Sequence, residues 1–81
     1  MTTKHDLELW IVEALRVLGG EAKIARICEH IWGNHEDELR RAGDLFYTWQ
    51  YDVRWAAQHL RDRRVLVASG QVKRGVWQLA P

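Results

Sequence analysis

The residues able to do chemistry in this chain are grouped, and their types suit recognition better than reaction. Phe46, Tyr47, Trp49, Tyr51 and Trp55 fall within ten residues, interleaved with Gln50 and Arg54, and Gln58 and Arg61 follow at steps of three and four. On a helix this spacing sets Tyr51, Arg54, Trp55, Gln58 and Arg61 on one side. Arginine offers two parallel hydrogen bonds to a guanine edge, and glutamine can pair with adenine, so Arg54, Gln50 and Gln58 are candidates for reading bases. Arg61, farther along, suits a phosphate. Lys73 and Arg74, just before Gly75, form a second basic pair. Each phosphate they neutralise would release counterions and add about 0.9 to the salt dependence of binding. Tyr47, Trp49, Tyr51 and Trp55 also suggest an aromatic surface on which a flipped or methylated base stacks, because every base has a π-face.

Each of these features has a plainer explanation. A polar helix side is often only solvated, and charges at a hairpin end guard the sheet edge against pairing with another chain. Aromatic and arginine enrichment also marks the dry centre of protein interfaces. The residues therefore support two classes of function, a DNA-binding module and a protein-interaction module built on the aromatics of residues 46–55. Catalysis and metal binding have less behind them. Cys28, His30 and His35 supply three ligands at most, at a spacing that matches no usual metal site. Ser69 lies in a turn remote in sequence from His5 and His59, and no glycine-rich phosphate loop precedes a helix. The expectation is no enzyme, no metal and no cofactor.

These residues must be positioned by a small number of elements. Leu7, Trp10, Ile11, Ala14, Leu15 and Leu18 recur at helical spacing, with Glu8, Glu13 and Arg16 on the other side, so an amphipathic helix is predicted there. Asp6 is its expected N-cap and Gly19-Gly20 its end. Ile24, Ile27, Cys28 and Ile31 mark a short second helix ending at Trp32-Gly33-Asn34, with Cys28 a small buried hydrophobe. Residues 34–44 read as a mobile polar connection that could form one exposed helical turn. A third helix is expected from about Tyr47 to Arg63, with Trp49, Val53, Ala56, Ala57 and Leu60 turned to the core. The period then changes: Val65-Leu66-Val67-Ala68 and Val76-Trp77-Gln78-Leu79 read as the arms of a β-hairpin, with a short strand at Gly20-Glu21-Ala22 pairing with its edge. Trp10 and Trp77 should pack together in the core, and Trp55 against the first helix or the hairpin. The fold class is mainly α with a small β-hairpin, a winged helix-turn-helix of three helices plus wing.

The chain has 81 residues, room for one domain and one core. Its 47% hydrophobic and 28% charged residues exclude a mostly disordered chain. One cysteine allows no internal disulfide, no apolar run approaches the ~20 residues of a membrane span, and no signal-peptide pattern opens the sequence. A soluble, cytoplasmic protein with no membrane partner is expected. The formal net charge is +1, but residues 1–44 hold six cations against nine acids, net −3, and residues 45–81 hold six against two, net +4. One face can therefore be basic. So few cations bind DNA weakly as a monomer, which favours a homodimer, for instance through the first helix, on two half-sites about one helical turn apart.

Leu18-Gly19-Gly20-Glu21-Ala22, then Val53-Arg54-Trp55-Ala56 with Leu60, then Arg74-Gly75-Val76-Trp77-Gln78-Leu79 together resemble the N-terminal winged-helix domain of Mrr-like restriction proteins, over nearly the whole chain. The most specific part is Val-Arg-Trp-Ala followed at the right distance by Arg-Gly-Val-Trp. The resemblance implies binding of double-stranded DNA, with methylated or otherwise modified bases as a target, in a restriction, defence or regulatory assembly. No nuclease sequence accompanies these motifs, so catalysis is not implied, and a nuclease or other effector would be a separate chain.

Overall fold

The structure is a computed structural model and describes residues 2–81. Its elements run α1 (Asp6–Val17), β1 (Glu21–Lys23), α2 (Ile24–Arg40), α3 (Leu45–Asp62), a 3-10 turn (Ser69–Gln71) and β2 (Val76–Gln78). The first helix buries Leu7, Trp10, Ile11, Ala14 and Leu15 as its apolar spacing requires. Asp6 is not its N-cap. Helical turns begin earlier, with the Asp6 amide bonded to the Thr3 carbonyl, and the Asp6 carboxylate accepts from the Thr3 amide at 2.9 Å. The Thr3 hydroxyl accepts from the His5 amide at 3.3 Å, so Thr3 and Asp6 close the start of the helix from both sides, much as a capping box does. At the other end Gly19 has φ +95° and the Gly20 amide donates to the Leu15 carbonyl at 2.7 Å, a glycine-terminated Schellman end.

The second helix is twice the expected length. It does not stop at Trp32-Gly33-Asn34 but continues to Arg40, with one non-helical residue, His35, at φ −130° and ψ 21°. The polar stretch folds because Leu39 is fully buried beside Ile27 and Ile31, and because His35 is held at both ring nitrogens. Its Nε2 meets Glu13 Oε1 at 2.9 Å and its Nδ1 meets Glu38 Oε1 at 3.0 Å, while its ring stacks on Trp10 at 3.9 Å. The kink is therefore fastened to α1. Arg40 lies over the rings of Trp32 (5.2 Å) and Phe46 (5.8 Å), tying the end of α2 to the start of α3.

Along α3 the buried residues are Trp49, Val53, Ala56, Ala57 and Leu60, the side the helical projection turned inward. The following residue pattern repeats the Schellman bond, with the Val65 amide on the Leu60 carbonyl at 2.9 Å, but here Arg64 takes the left-handed position at φ +62°. The wing is narrow. Its arms meet at one antiparallel bridge, Leu66 with Leu79, flanked by Val67 N–H to Gln78 O and Ala80 N–H to Val65 O, both 2.9 Å. The longer ladder joins β1 to β2, antiparallel, with Glu21 opposite Gln78, Ala22 opposite Trp77 and Lys23 opposite Val76. The last strand is thus central, with β1 on one side and the wing arm on the other. Three helices and this small sheet are the architecture of a winged helix-turn-helix.

One cluster of buried side chains joins the three helices and the last strand, from Leu7 on α1 to Trp77 on β2, with Ala22 of β1 packed against it. Trp10 and Trp77 both belong to it. The ring stacked on Trp10 is His35, however, and the group over Trp77 is the Arg61 guanidinium at 5.9 Å. Among the described residues, no helix is long and apolar enough to cross a membrane.

Candidate nucleic-acid interface

The outer side of α3 carries Tyr47, Gln50, Tyr51, Arg54 and Gln58, all exposed, at steps of three and four that form one stripe. Tyr47 is 83% exposed and Tyr51 78%. Arg54 lies back along its helix, donating to the Gln50 carbonyl at 2.8 Å, so its guanidinium is held beside Gln50. Gln58 is engaged locally: its amide nitrogen donates to Asp62 at 3.0 Å and its oxygen accepts from Arg61 at 3.3 Å. An adenine contact would require Gln58 to exchange these bonds for the base.

Arg61 is half-buried and points toward the wing. With Lys73 and Arg74 it lines a hollow of about 390 Å³, whose wall includes Ser69, Gly75 and Trp77. Among the described residues its buried Nε atom has no hydrogen-bond partner. Thus one cation of α3 and two of the wing loop share a concave surface, a group that sequence spacing could not bring together because eleven residues separate Arg61 from Lys73.

The aromatic residues divide into two sets. Trp49 is buried and stacks with Trp32 across the α2–α3 seam, ring centres 6.2 Å apart and planes 7° from parallel. Its expected part in base stacking is therefore corrected: at a core position of the helix its ring serves packing. Trp55 is half-buried and crowded, with His59 stacked at 5.3 Å, His5 edge-on at 5.4 Å and Lys4 Nζ 4.4 Å from the ring centre. It packs on the segment leading into α1 and on its own helix, and its remaining surface borders a hollow shared with Lys4, Tyr51, Arg54 and Gln58. Tyr47 and Tyr51 keep exposed rings. Phe46 is partly buried, edge-on to Tyr47 at 4.9 Å.

Cys28 is half-buried on α2 beside Trp32, Phe46, Trp49 and Gln50. Burial pushes its thiol above the usual cysteine range, and the nearby Arg54 charge pulls it partly back. Among the described residues no three His, Cys, Asp or Glu side chains converge as metal ligands.

The residue that sequence reasoning most clearly misplaced is Glu8. Expected on the solvent side of α1, it is only 7% exposed. Glu8 Oε1 accepts from His59 Nδ1 at 2.8 Å and from Arg63 at 3.2 Å, pinning α1 to the end of α3. Arg63 is thereby turned to α1 and away from the stripe. Comparison with protein-family models, with curated proteins and with solved structures gives no match to this chain.

Proposed function

We propose that this protein is a double-stranded DNA-binding winged-helix module, with α3 in the major groove and the wing on the adjoining backbone. The observation that carries the reading is the shared position of Arg61, Lys73 and Arg74 at the wing end of the exposed α3 stripe. A groove about 12 Å wide admits a helix, and the stripe Gln50, Tyr51, Arg54 and Gln58 supplies donors and acceptors for base edges. The basic hollow lined by Arg61, Lys73 and Arg74 supplies charge-assisted phosphate contacts. The Mrr-like resemblance extends the proposal to modified DNA as the target and to a separate nuclease or regulatory chain as the partner.

The test is fluorescence anisotropy of labelled duplexes, plain and methylated, with Arg54→Ala and with Lys73→Ala/Arg74→Ala as variants. Arg54→Ala should weaken binding about tenfold or more, as loss of a bidentate base contact does. The double wing variant should weaken binding to all sequences alike and lower its salt dependence. A preference for the methylated duplex supports the restriction-like extension, and equal affinity removes it. The exposure of Tyr47 and Tyr51 favours a second reading, a protein interface on the same helix. That interface would hold its affinity as salt rises, where DNA binding would not.

A further inference from the structure

The outer side of α1 carries an apolar surface that neither the DNA stripe nor the core uses. Leu9 and Val17 are 70% and 67% exposed, and both line a depression of about 510 Å³ with Val12, Glu13, Arg16, Leu60 and Val65. Leu9, Val12, Glu13, Arg16 and Val17 follow one another at steps of three, one, three and one, the spacing of a single helix face.

The charges on this face have an order that selects a partner. Two of the charged residues lining the depression, Glu8 and Arg63, are paired with each other at 3.2 Å; the other two, Glu13 and Arg16, are three residues apart and opposite in sign, and Arg16 makes no ion pair among the described residues. Glu13 uses one carboxylate oxygen on His35, leaving the other open. In a two-fold dimer the same patch meets itself, so each group on one side of the axis faces the group equally far on the other side. An axis crossing α1 midway between Glu13 and Arg16 sets each Glu13 against the Arg16 of the second copy, twice. The same axis sets Val12 against Val17 of the second copy and brings Leu9 to the turn after its Leu18.

We infer that this face of α1 is the interface for a second copy of this chain, two antiparallel α1 helices packed about a two-fold axis with a reciprocal pair of Glu13–Arg16 contacts. Opposite charges in mirror order beside the axis, flanked by apolar residues on either side, are a self-complementary pattern of the kind an isologous contact requires. None of the residues lining the depression belongs to the α3 stripe or to the wing hollow, so the dimer keeps both surfaces open, and the inference stands whether or not the chain binds DNA.

Sedimentation equilibrium from low micromolar to near millimolar protein tests it, with circular dichroism to establish that each variant is folded. The wild type should approach the mass of two chains as concentration rises. Leu9→Glu, at a site already open to water, should stay at the mass of one chain. Glu13→Lys and Arg16→Glu should each associate less than the wild type alone, because each sets like charges across the axis. Mixed together they should form a heterodimer, because the mixture restores both opposite-charge contacts. A wild type that remains a single chain throughout overturns the inference, as does a folded Leu9→Glu that still dimerises, or a mixture of the two charge variants that associates no better than either alone.

Discussion

Arg54 and Arg61 stand two helical turns apart on α3 and are held in different ways. Arg54 is exposed and bonded only to the Gln50 carbonyl of its own helix, so its removal leaves the core untouched. Arg61 lies over Trp77 at 5.9 Å and is half-buried. Arg61→Ala is therefore expected to lower stability by about 1 kcal/mol, through lost cation–π contact and stem packing, as well as weakening binding. Thermal melts of the two alanine variants, compared with their DNA affinities, separate the roles: Arg54→Ala should bind less at an unchanged midpoint. Cys28 gives a prediction in pH. Its thiol is raised above the ordinary cysteine value by burial, so the folded state holds that proton more tightly than the unfolded chain does. Its contribution to stability is whole below the ordinary cysteine value and is lost as pH rises through the folded one. The rate of alkylation by iodoacetamide should accordingly begin to climb at a higher pH than for a free cysteine, and a rate profile matching free cysteine would contradict the burial of the thiol.

At the scale of elements, the two Schellman ends make opposite predictions. Gly19 at φ +95° has no room in conformation for a side chain, so Gly19→Ala should cost about 1 to 2 kcal/mol. Arg64 at φ +62° already bears the strain of a side chain there, and Arg64→Gly should gain up to about 1 kcal/mol, part of the relief being offset by a freer unfolded chain. Chemical denaturation of both variants measures the contrast. Glu8→Ala should cost about 1 kcal/mol, toward the low end for a buried carboxylate because His59 and Arg63 both reach water. The helices α1 and α3 and the core side of each were legible because their apolar spacing is regular. The full length of α2 was legible only in part. Ile27, Ile31, His35 and Leu39 stand four residues apart, but the ladder runs through a histidine and past Gly33 and Asn34, residues that usually end helices. Tertiary contacts from Glu13 and Trp10 overrode that local signal. Glu8 was hidden for the same reason, since its partners lie 51 and 55 residues away. The stripe on α3 could be read from periodicity, but the gathering of Arg61 with the wing cations needed the fold.

At the scale of the whole molecule, Trp77 links the two halves of the chain. It pairs through its strand with Ala22, is buried in the common core, and carries Arg61 over its ring. Trp77→Ala should cost about 3 to 5 kcal/mol, a large part of the stability a small domain has, and a melt should show lost folding before any specific loss of binding. The charge asymmetry works at this scale too, with the cations of residues 45–81 supplying both the wing hollow and the centre of the α3 stripe while the total stays near neutral. Long-range attraction to DNA is therefore small, and affinity depends on close contacts in a few places. The most direct test is the affinity of the folded wild-type protein for duplex DNA across a range of salt concentrations. The wing hollow predicts a straight line of log affinity against log salt with a slope of about −3, three phosphates at about 0.9 each. No binding at the lowest salt, or binding that does not change with salt, would contradict the DNA-binding account and leave the exposed tyrosines of α3 as a surface for a protein partner.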